Sequence, residues 1–220
     1  MDCASNEFCA SLDASTRERL CPHCRKRLMK AGSVQIYEDF EHEASLLTDG
    51  IVLISGYVGE DVLSASESVP TCYLGVPGRM LSTNVTFREG GGQEAYGYNS
   101  MEYLTDSCVA KFDHAVIRDL FASDEGFARA LMLSGLRIME DGCAMTAILR
   151  AGSVYLGVFH LVRYLSQQNA YLTQQQLAYL LNRDRTTVAR SVSRVRKEHP
   201  DVWESYVLNK GRKVELPTSA

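Results

Sequence analysis

Hydrophobic and polar positions follow two different periods along this 220-residue chain. From about Ala31 to Phe112, short apolar or alternating runs (SVQIY, ASLL, GIVLISGYV, TCYLGV, TNVTF, CVAKF) are separated by turn-forming stretches such as TDG, VPG and REGGG. A period of two puts successive side chains on opposite faces of a strand, so these closely spaced runs predict a compact antiparallel barrel or sandwich. From Asp124 the period changes. Phe127, Leu131, Ser134, Ile138, Asp141, Met145 and Ile148 recur at alternating intervals of four and three. That spacing predicts a helix of about 25 residues whose heptad seam is interrupted by Ser134 and Asp141. So long a helix calls for cover on a second side; a twin helix from another copy supplies it, and the plainer alternative is a core helix. The phase shifts around Arg150–Ser153, where Gly152 marks a helix join, and a second apolar helix, VYLGVFHLVRYLSQQ, leads to Asn169.

Helix-boundary chemistry is concentrated in the following stretch, YLTQQQLAYLLNRDRTTVARSVSRVRKEHPD. Thr173 and Gln176 form a T-x-x-Q capping box, so a helix starts at Gln174 and carries Leu177, Leu180 and Leu181 on its apolar side. Asn182 suits a left-handed turn that closes this helix, and Asp184 caps the next, 185–198, which buries Val188, Val192 and Val195. Two short helices joined by a tight turn make a helix-turn-helix, with Ala178 small enough for their close approach. SYVLNKGRKVEL then reads as a strand, an N-K-G turn and a second strand, a wing with Lys210, Arg212 and Lys213 near its tip.

Charge sharpens that reading. The chain carries a formal net charge of −4, yet from residue 171 onward nine Lys+Arg face five Asp+Glu, a net of +4, which leaves −8 for residues 1–170. A basic patch on an acidic body is the footprint of a segment that meets a polyanion while the remainder does something else. On the second helix Arg185, Thr186, Ala189 and Arg190 occupy the exposed N-terminal face that enters a major groove in this motif, where Arg can place two parallel donors on guanine. Thr187, Arg183, Arg194, Arg196 and Lys197 lie where phosphates would be met, as do Lys210 and Arg212 on the wing.

A β-rich segment, a long heptad-like helix and a C-terminal winged helix in this order resemble the Crp/Fnr family of bacterial transcription regulators. The resemblance covers roughly residues 30–215. RTTVAR at 185–190 looks like the family's R-E-T-V-x-R recognition segment, with Thr186 in place of the usual Glu, and Arg183 and Ser191 where the pattern has apolar residues. It implies that Arg185, Thr186 and Arg190 read bases and that Thr173 and Gln174 touch the backbone. The fold it implies is α+β: an N-terminal antiparallel, jelly-roll-like β-roll, a long dimerisation helix and a C-terminal winged helix-turn-helix. The corresponding division is a cysteine-containing segment 1–30, an effector-sensing roll 31–123, the helix 124–149 and the DNA-binding domain 150–220. A homodimer on a palindromic site in double-stranded DNA, contact with RNA polymerase and an effector in the roll complete the expectation.

The effector is less legible. Cyclic-nucleotide binders of the family carry a Gly-Glu pair and then an Arg-Ser or Arg-Thr pair, whereas the corresponding stretch here, PGRMLSTNVTFREGGGQEAYGYNSMEYL, has neither. Without a fixed cation and convergent N–H donors a phosphate has no cradle, which argues against cyclic AMP; Arg79 and Arg88 read as surface residues. Tyr73, Tyr96, Tyr98 and Tyr103 could line a pocket for an aromatic or carboxylate-bearing molecule, or serve simply as good strand residues.

Cys3, Cys9, Cys21 and Cys24 run C-x5-C-x11-C-x2-C ahead of the roll. Four soft ligands suit an iron–sulfur cluster or Zn²⁺; free thiols and a redox disulfide are the other readings. Seven cysteines, an odd count, argue against a disulfide framework. No apolar run approaches the roughly 18 residues of a membrane span, and MDCASNEFCASLD lacks a secretory pattern, so a cytoplasmic protein is expected. No nucleophile–base or acid pair stands out, which points away from an enzyme. The rival class is a metal or redox sensor whose winged helix serves protein contacts.

Overall fold

The computed structural model describes residues 6–36, 42–58, 69–82, 86–87 and 98–211, in two compact units, one up to Glu140 and one from Asp141 onward. The first unit opens with two short helices, α1 (Glu7–Ala10) and α2 (Ala14–Leu20), capped by the side chains of Asn6 and Asp13. A 3-10 turn, Cys21–His23, leads into the strands β1 (Arg25–Met29), β2 (Val34–Ile36), β3 (Glu43–Asp49), β4 (Val52–Val58), β5 (Val69–Gly75), β6 (Met80–Leu81), β7 (Tyr98–Tyr103) and β8 (Ser107–Asp113). They form two antiparallel four-stranded sheets, ordered β1-β8-β3-β6 and β2-β7-β4-β5. The expected antiparallel roll is therefore present. Inward-facing residues build two apolar clusters: Phe8, Leu20, Leu46, Phe112, Ile117, Phe127 and Leu131 belong to one, and Leu47, Val52, Ile54, Tyr73, Met101, Tyr103 and Val109 to the other.

Three details of the roll differ from expectation. It starts at Arg25 rather than residue 31, because RKRLM pairs in register with β8, Arg25 opposite Lys111. The like charges are tolerated because Glu43 on β3 reaches both, 2.7 Å from Arg25 and 3.1 Å from buried Lys111. Of the expected strand TNVTF, Thr86 and Phe87 lie outside any strand and residues 83–85 lie outside the described residues. Arg79, expected at the surface, is 5% exposed and pairs with Glu7 at 3.3 Å, a carboxylate shared with Arg137 at 2.8 Å. A buried guanidinium must be paired, and α1 supplies the partner; Arg88 lies outside the described residues.

Helix α3 (His114–Ser123) continues directly from β8, and Asp124 then caps α4 (Glu125–Leu149) by accepting the N–H of Phe127 at 2.9 Å. The length of α4 matches expectation, but the seam does not. Phe127 and Leu131 join a roll cluster, and Ile138 packs against the other. Ser134 Oγ accepts the buried N–H of Met80 at 2.9 Å. Asp141, Met145 and Ile148 are buried too, and in the second unit Asp141 accepts the Tyr164 O–H at 2.8 Å. The 127–148 stripe is thus the chain's own core face, and its two polar interruptions are hydrogen-bonding positions. A different stripe, Met132 (63% exposed), Leu136 (56%), Met139 (67%) and the exposed Cys143, has the same four-three-four spacing and faces outward.

In the second unit, the residues after α4 are followed by α5 (Val154–Gln167), α6 (Gln174–Leu180), α7 (Arg185–Glu198) and α8 (Pro200–Val207). Ser153 caps α5 directly after Gly152, as expected of a helix join. Gly157 admits close packing: a β-carbon there would sit 3.4 Å from Leu181 and 3.5 Å from the Ile148 carbonyl. The expected first strand of the wing is helical instead. Pro200 starts α8, and Val202, Trp203, Tyr206 and Val207 face its packed side at helical rather than strand spacing. Residues 212–220, where the second wing strand was expected, lie outside the described residues.

Candidate nucleic-acid interface

The helix pair α6–α7 is locked by its own end chemistry. At the start of α6 the Thr173 N–H donates to Gln176 Oε1 at 2.7 Å and the Gln176 N–H to Thr173 Oγ1 at 3.3 Å, the capping box read from sequence. At its end Asn182 takes φ +48°, the Arg183 N–H reaches the Ala178 carbonyl at 3.0 Å and the Asn182 N–H the Tyr179 carbonyl at 3.1 Å. This is a Schellman closure with Asn at the left-handed position. Asp184 then caps α7 by accepting the Thr187 N–H at 2.8 Å. Hydrogen bonds from the Thr187 side chain and N–H hold the Asp184 carboxyl below the usual carboxylate range. Ala178, Leu177, Leu180 and Leu181 are buried from the first helix, Val188, Ser191, Val192 and Val195 from the second. Ser191, at a position expected to be apolar, stays buried by returning its hydroxyl to the Thr187 carbonyl at 3.0 Å.

With 188, 191, 192 and 195 turned inward, the opposite face of α7 carries Thr186, Arg190, Ser193 and Lys197, all exposed, flanked by Arg185, Ala189 and Arg196. Of the residues predicted to read bases, Arg185, Thr186 and Arg190 are exposed and Ala189 is half-buried; Ser193, which the sequence reading passed over, lies in the same line. Of those predicted to meet phosphates, Thr173, Gln174, Arg183, Arg196, Lys197 and Lys210 are exposed and Thr187 is half-buried. Arg212 lies outside the described residues.

Arg194, also predicted to meet phosphates, is exposed and bonded within the chain. Its guanidinium bonds Glu198 at 2.8 Å and lies 4.0 Å from the Tyr155 ring centroid, while the Tyr155 O–H donates to the same carboxylate at 2.6 Å. Arg194 and Tyr155 together hold Glu198 below the carboxylate range, and Glu198 in turn raises Tyr155. This cluster links α7 to α5. A second fastening went unpredicted. Buried Tyr206 on α8 donates its O–H to the Leu172 carbonyl and accepts the Leu172 N–H at 3.2 Å, which pins the residue preceding the α6 cap. Burial pushes its phenol pKa far up, so it stays a neutral donor.

The other predicted sites are described only in part. Tyr73 and Tyr103 are core residues, and the Tyr103 O–H donates to buried Gln35 at 2.6 Å. Tyr96 lies outside the described residues and Tyr98 belongs to β7. Cys9 is buried, Cys21 exposed and Cys24 half-buried. Among the described residues no three His, Cys, Asp or Glu side chains come together as metal ligands; Cys3 lies outside them.

No protein-family model matches the sequence, and no curated protein matches it. Its fold does match solved structures. A CRP-family transcriptional regulator of Thermus thermophilus aligns with a TM-score of 0.55 at 14% identity, over 78% of this chain and 85% of that one. The c-di-GMP responsive global regulator CLP of Xanthomonas campestris aligns with a TM-score of 0.56 at 15% identity, over 84% and 93%. FixK2 of Bradyrhizobium japonicum aligns with a TM-score of 0.56 at 14% identity, over 80% and 85%. The chain therefore has the fold of the Crp/Fnr-type regulators: a β-roll, a long helix and a helical C-terminal domain. No helix among the described residues is long and apolar enough to cross a membrane.

Proposed function

We propose that this protein is a dimeric, effector-gated transcription regulator that binds a palindromic DNA site through α7. The observation that carries this reading is the outward line Thr186–Arg190–Ser193–Lys197 on a helix capped at its start and fastened from behind by α5. Arg190 and Arg185 supply bidentate donors for guanine, Thr186 and Ser193 shorter contacts, and Arg183, Arg196 and Lys197 the phosphate anchors. Thr186 in place of an acidic side chain removes a carboxylate acceptor near the bases, so the preferred operator differs from one that such an acceptor would select.

The dimer forms along α4 by the stripe Met132, Leu136, Met139 and Cys143, in place of the seam first read from sequence. Heptad spacing and an exposed apolar surface together fit a second copy of the same helix. Two recognition helices then meet half-sites one DNA turn apart, about 34 Å. In this reading residues 25–123 form the sensing domain, 124–149 the dimerisation helix and 150–220 the DNA-binding domain; the protein works in the cytoplasm and meets RNA polymerase there. The roll receives a signal other than cyclic AMP and shifts the population between two dimer arrangements.

Selection from a random DNA pool by the purified full-length protein, followed by sequencing, tests the proposal. Enrichment of a two-fold symmetric site is expected. A monomer that enriches no sequence, before or after anaerobic purification, would overturn it.

A further inference from the structure

The segment between α2 and β1, Cys21-Pro22-His23-Cys24, plays no part in the reading above. The Cys24 N–H donates to the Cys21 carbonyl at 3.1 Å, closing the turn, and Pro22 stiffens its first position. A turn closed by such an i to i+3 bond keeps its end α-carbons within about 7 Å, overlapping the roughly 4.4–6.8 Å that disulfides span. The two thiols also differ in access. Cys21 is exposed, whereas Cys24 is half-buried and packs against the roll cluster that holds Phe8 and Phe127. Packing accounts for a cysteine at 24 but not for a thiol in water at 21. Exposed His23, Lys26 and Arg27 flank the pair and suit an anionic co-reactant.

We infer that Cys21 and Cys24 are a thiol–disulfide exchange pair, oxidised by a carboxylate-bearing, low-molecular-weight disulfide. The Cys21 thiolate attacks one sulfur of the small disulfide, forming a mixed disulfide and releasing one small thiolate. The Cys24 thiolate then attacks Cys21 Sγ, forming the intrachain disulfide and releasing the second. Two protein thiols and one small disulfide become one protein disulfide and two small thiols, each thiolate released taking up a proton lost by a cysteine. This closes a covalent ring at the mouth of β1, the edge strand paired with β8. The inference is independent of DNA binding, because its readout is the state of the two sulfurs.

Trypsin cuts after Arg19 and Arg25, so both cysteines fall in one peptide, Leu20–Arg25. Reduced full-length protein is equilibrated with mixtures of reduced and oxidised glutathione, quenched by alkylation and digested. The expected result is that this peptide passes from doubly alkylated to lighter by two hydrogens and unalkylated as oxidised glutathione rises, with no lasting glutathione adduct. The variant C24S should accumulate glutathione on Cys21, and C21S should take up glutathione on Cys24 at least about tenfold more slowly, since half-burial restricts access. A Leu20–Arg25 peptide that stays doubly alkylated throughout would overturn the inference. So would a cross-link from either cysteine to Cys3, Cys9 or Cys143, or equal rates in the two variants. The wild-type result does not depend on how either variant folds.

Discussion

Replacing Tyr206 by Phe removes one oxygen and keeps the ring. That oxygen serves two backbone groups of a single buried residue: it donates to the Leu172 carbonyl and accepts the Leu172 N–H. Leu172 is 1% exposed and Tyr206 fully buried, so water has no ready route to replace the lost bonds. A buried polar group left without a partner costs about 1–3 kcal/mol. Two such groups, less what is regained by no longer burying a hydroxyl, give about 2–4 kcal/mol. Against the few to about ten kcal/mol that hold a domain of this size, that loss is large. The assay is built in, since the only tryptophan, Trp203, lies 5.6 Å from Tyr206 ring to ring and reports unfolding of this unit. For a urea slope of about 1–2 kcal/mol per molar, the fluorescence midpoint should fall by roughly 1–4 M with the slope unchanged. A midpoint within about 0.3 M of the parent would refute the reasoning, because it would mean that Leu172 needs no protein partner.

Other outcomes follow from the same geometry. Ser134→Ala strands the buried N–H of Met80 and should lower the stability of the first unit by about 1–3 kcal/mol, read by tyrosine circular dichroism in a urea titration. The Asp124 carboxyl is held below its ordinary range first by the Phe127 N–H and then by the Thr16 hydroxyl and Arg19, so its ionised form is favoured by folding. The stability it adds is complete above about pH 4 and is lost as pH falls towards the lower folded value; the gap between parent and Asp124→Asn in urea titrations should narrow on acidification, not widen. Arg190→Ala should reduce discrimination between selected and random DNA, whereas Lys197→Ala should weaken both alike and lower the salt slope by about one. Equal losses on both DNAs for both variants would contradict the division of roles. Leu136→Arg places charge on the exposed stripe of α4 and should yield a monomer by light scattering while keeping the parent's far-ultraviolet circular dichroism spectrum.

What the sequence disclosed was whatever is decided within a few residues. The Thr173–Gln176 box, the left-handed Asn182 and the Asp184 cap are all interactions across three to five positions, and each lies where the pattern placed it. The α4 seam failed for the complementary reason: spacing defines a stripe but not the surface that covers it, and the sheets of the roll cover 127–138. The strand at Arg25 was hidden because an edge strand with charged side chains has no apolar signature, its pairing being supplied by β8 and its charge by Glu43. The first strand of the wing was misread because β-favouring Tyr206 and Val207 sit where position relative to Pro200 outweighs propensity. Tyr206 had no local signal, since its partner is 34 residues away.

The pairing of Arg194 with Glu198 has a thermodynamic corollary. Arg183, Arg185, Arg190, Arg196 and Lys197 form no ion pair with any described residue, while Arg194 is already neutralised by Glu198 and stacked on Tyr155. In a DNA complex the first group therefore breaks no internal bond; its members exchange mobile solution ions for phosphates and bases. Association through this face should draw its free energy mainly from the mixing entropy of ions set loose from the DNA, with little heat from side-chain rearrangement.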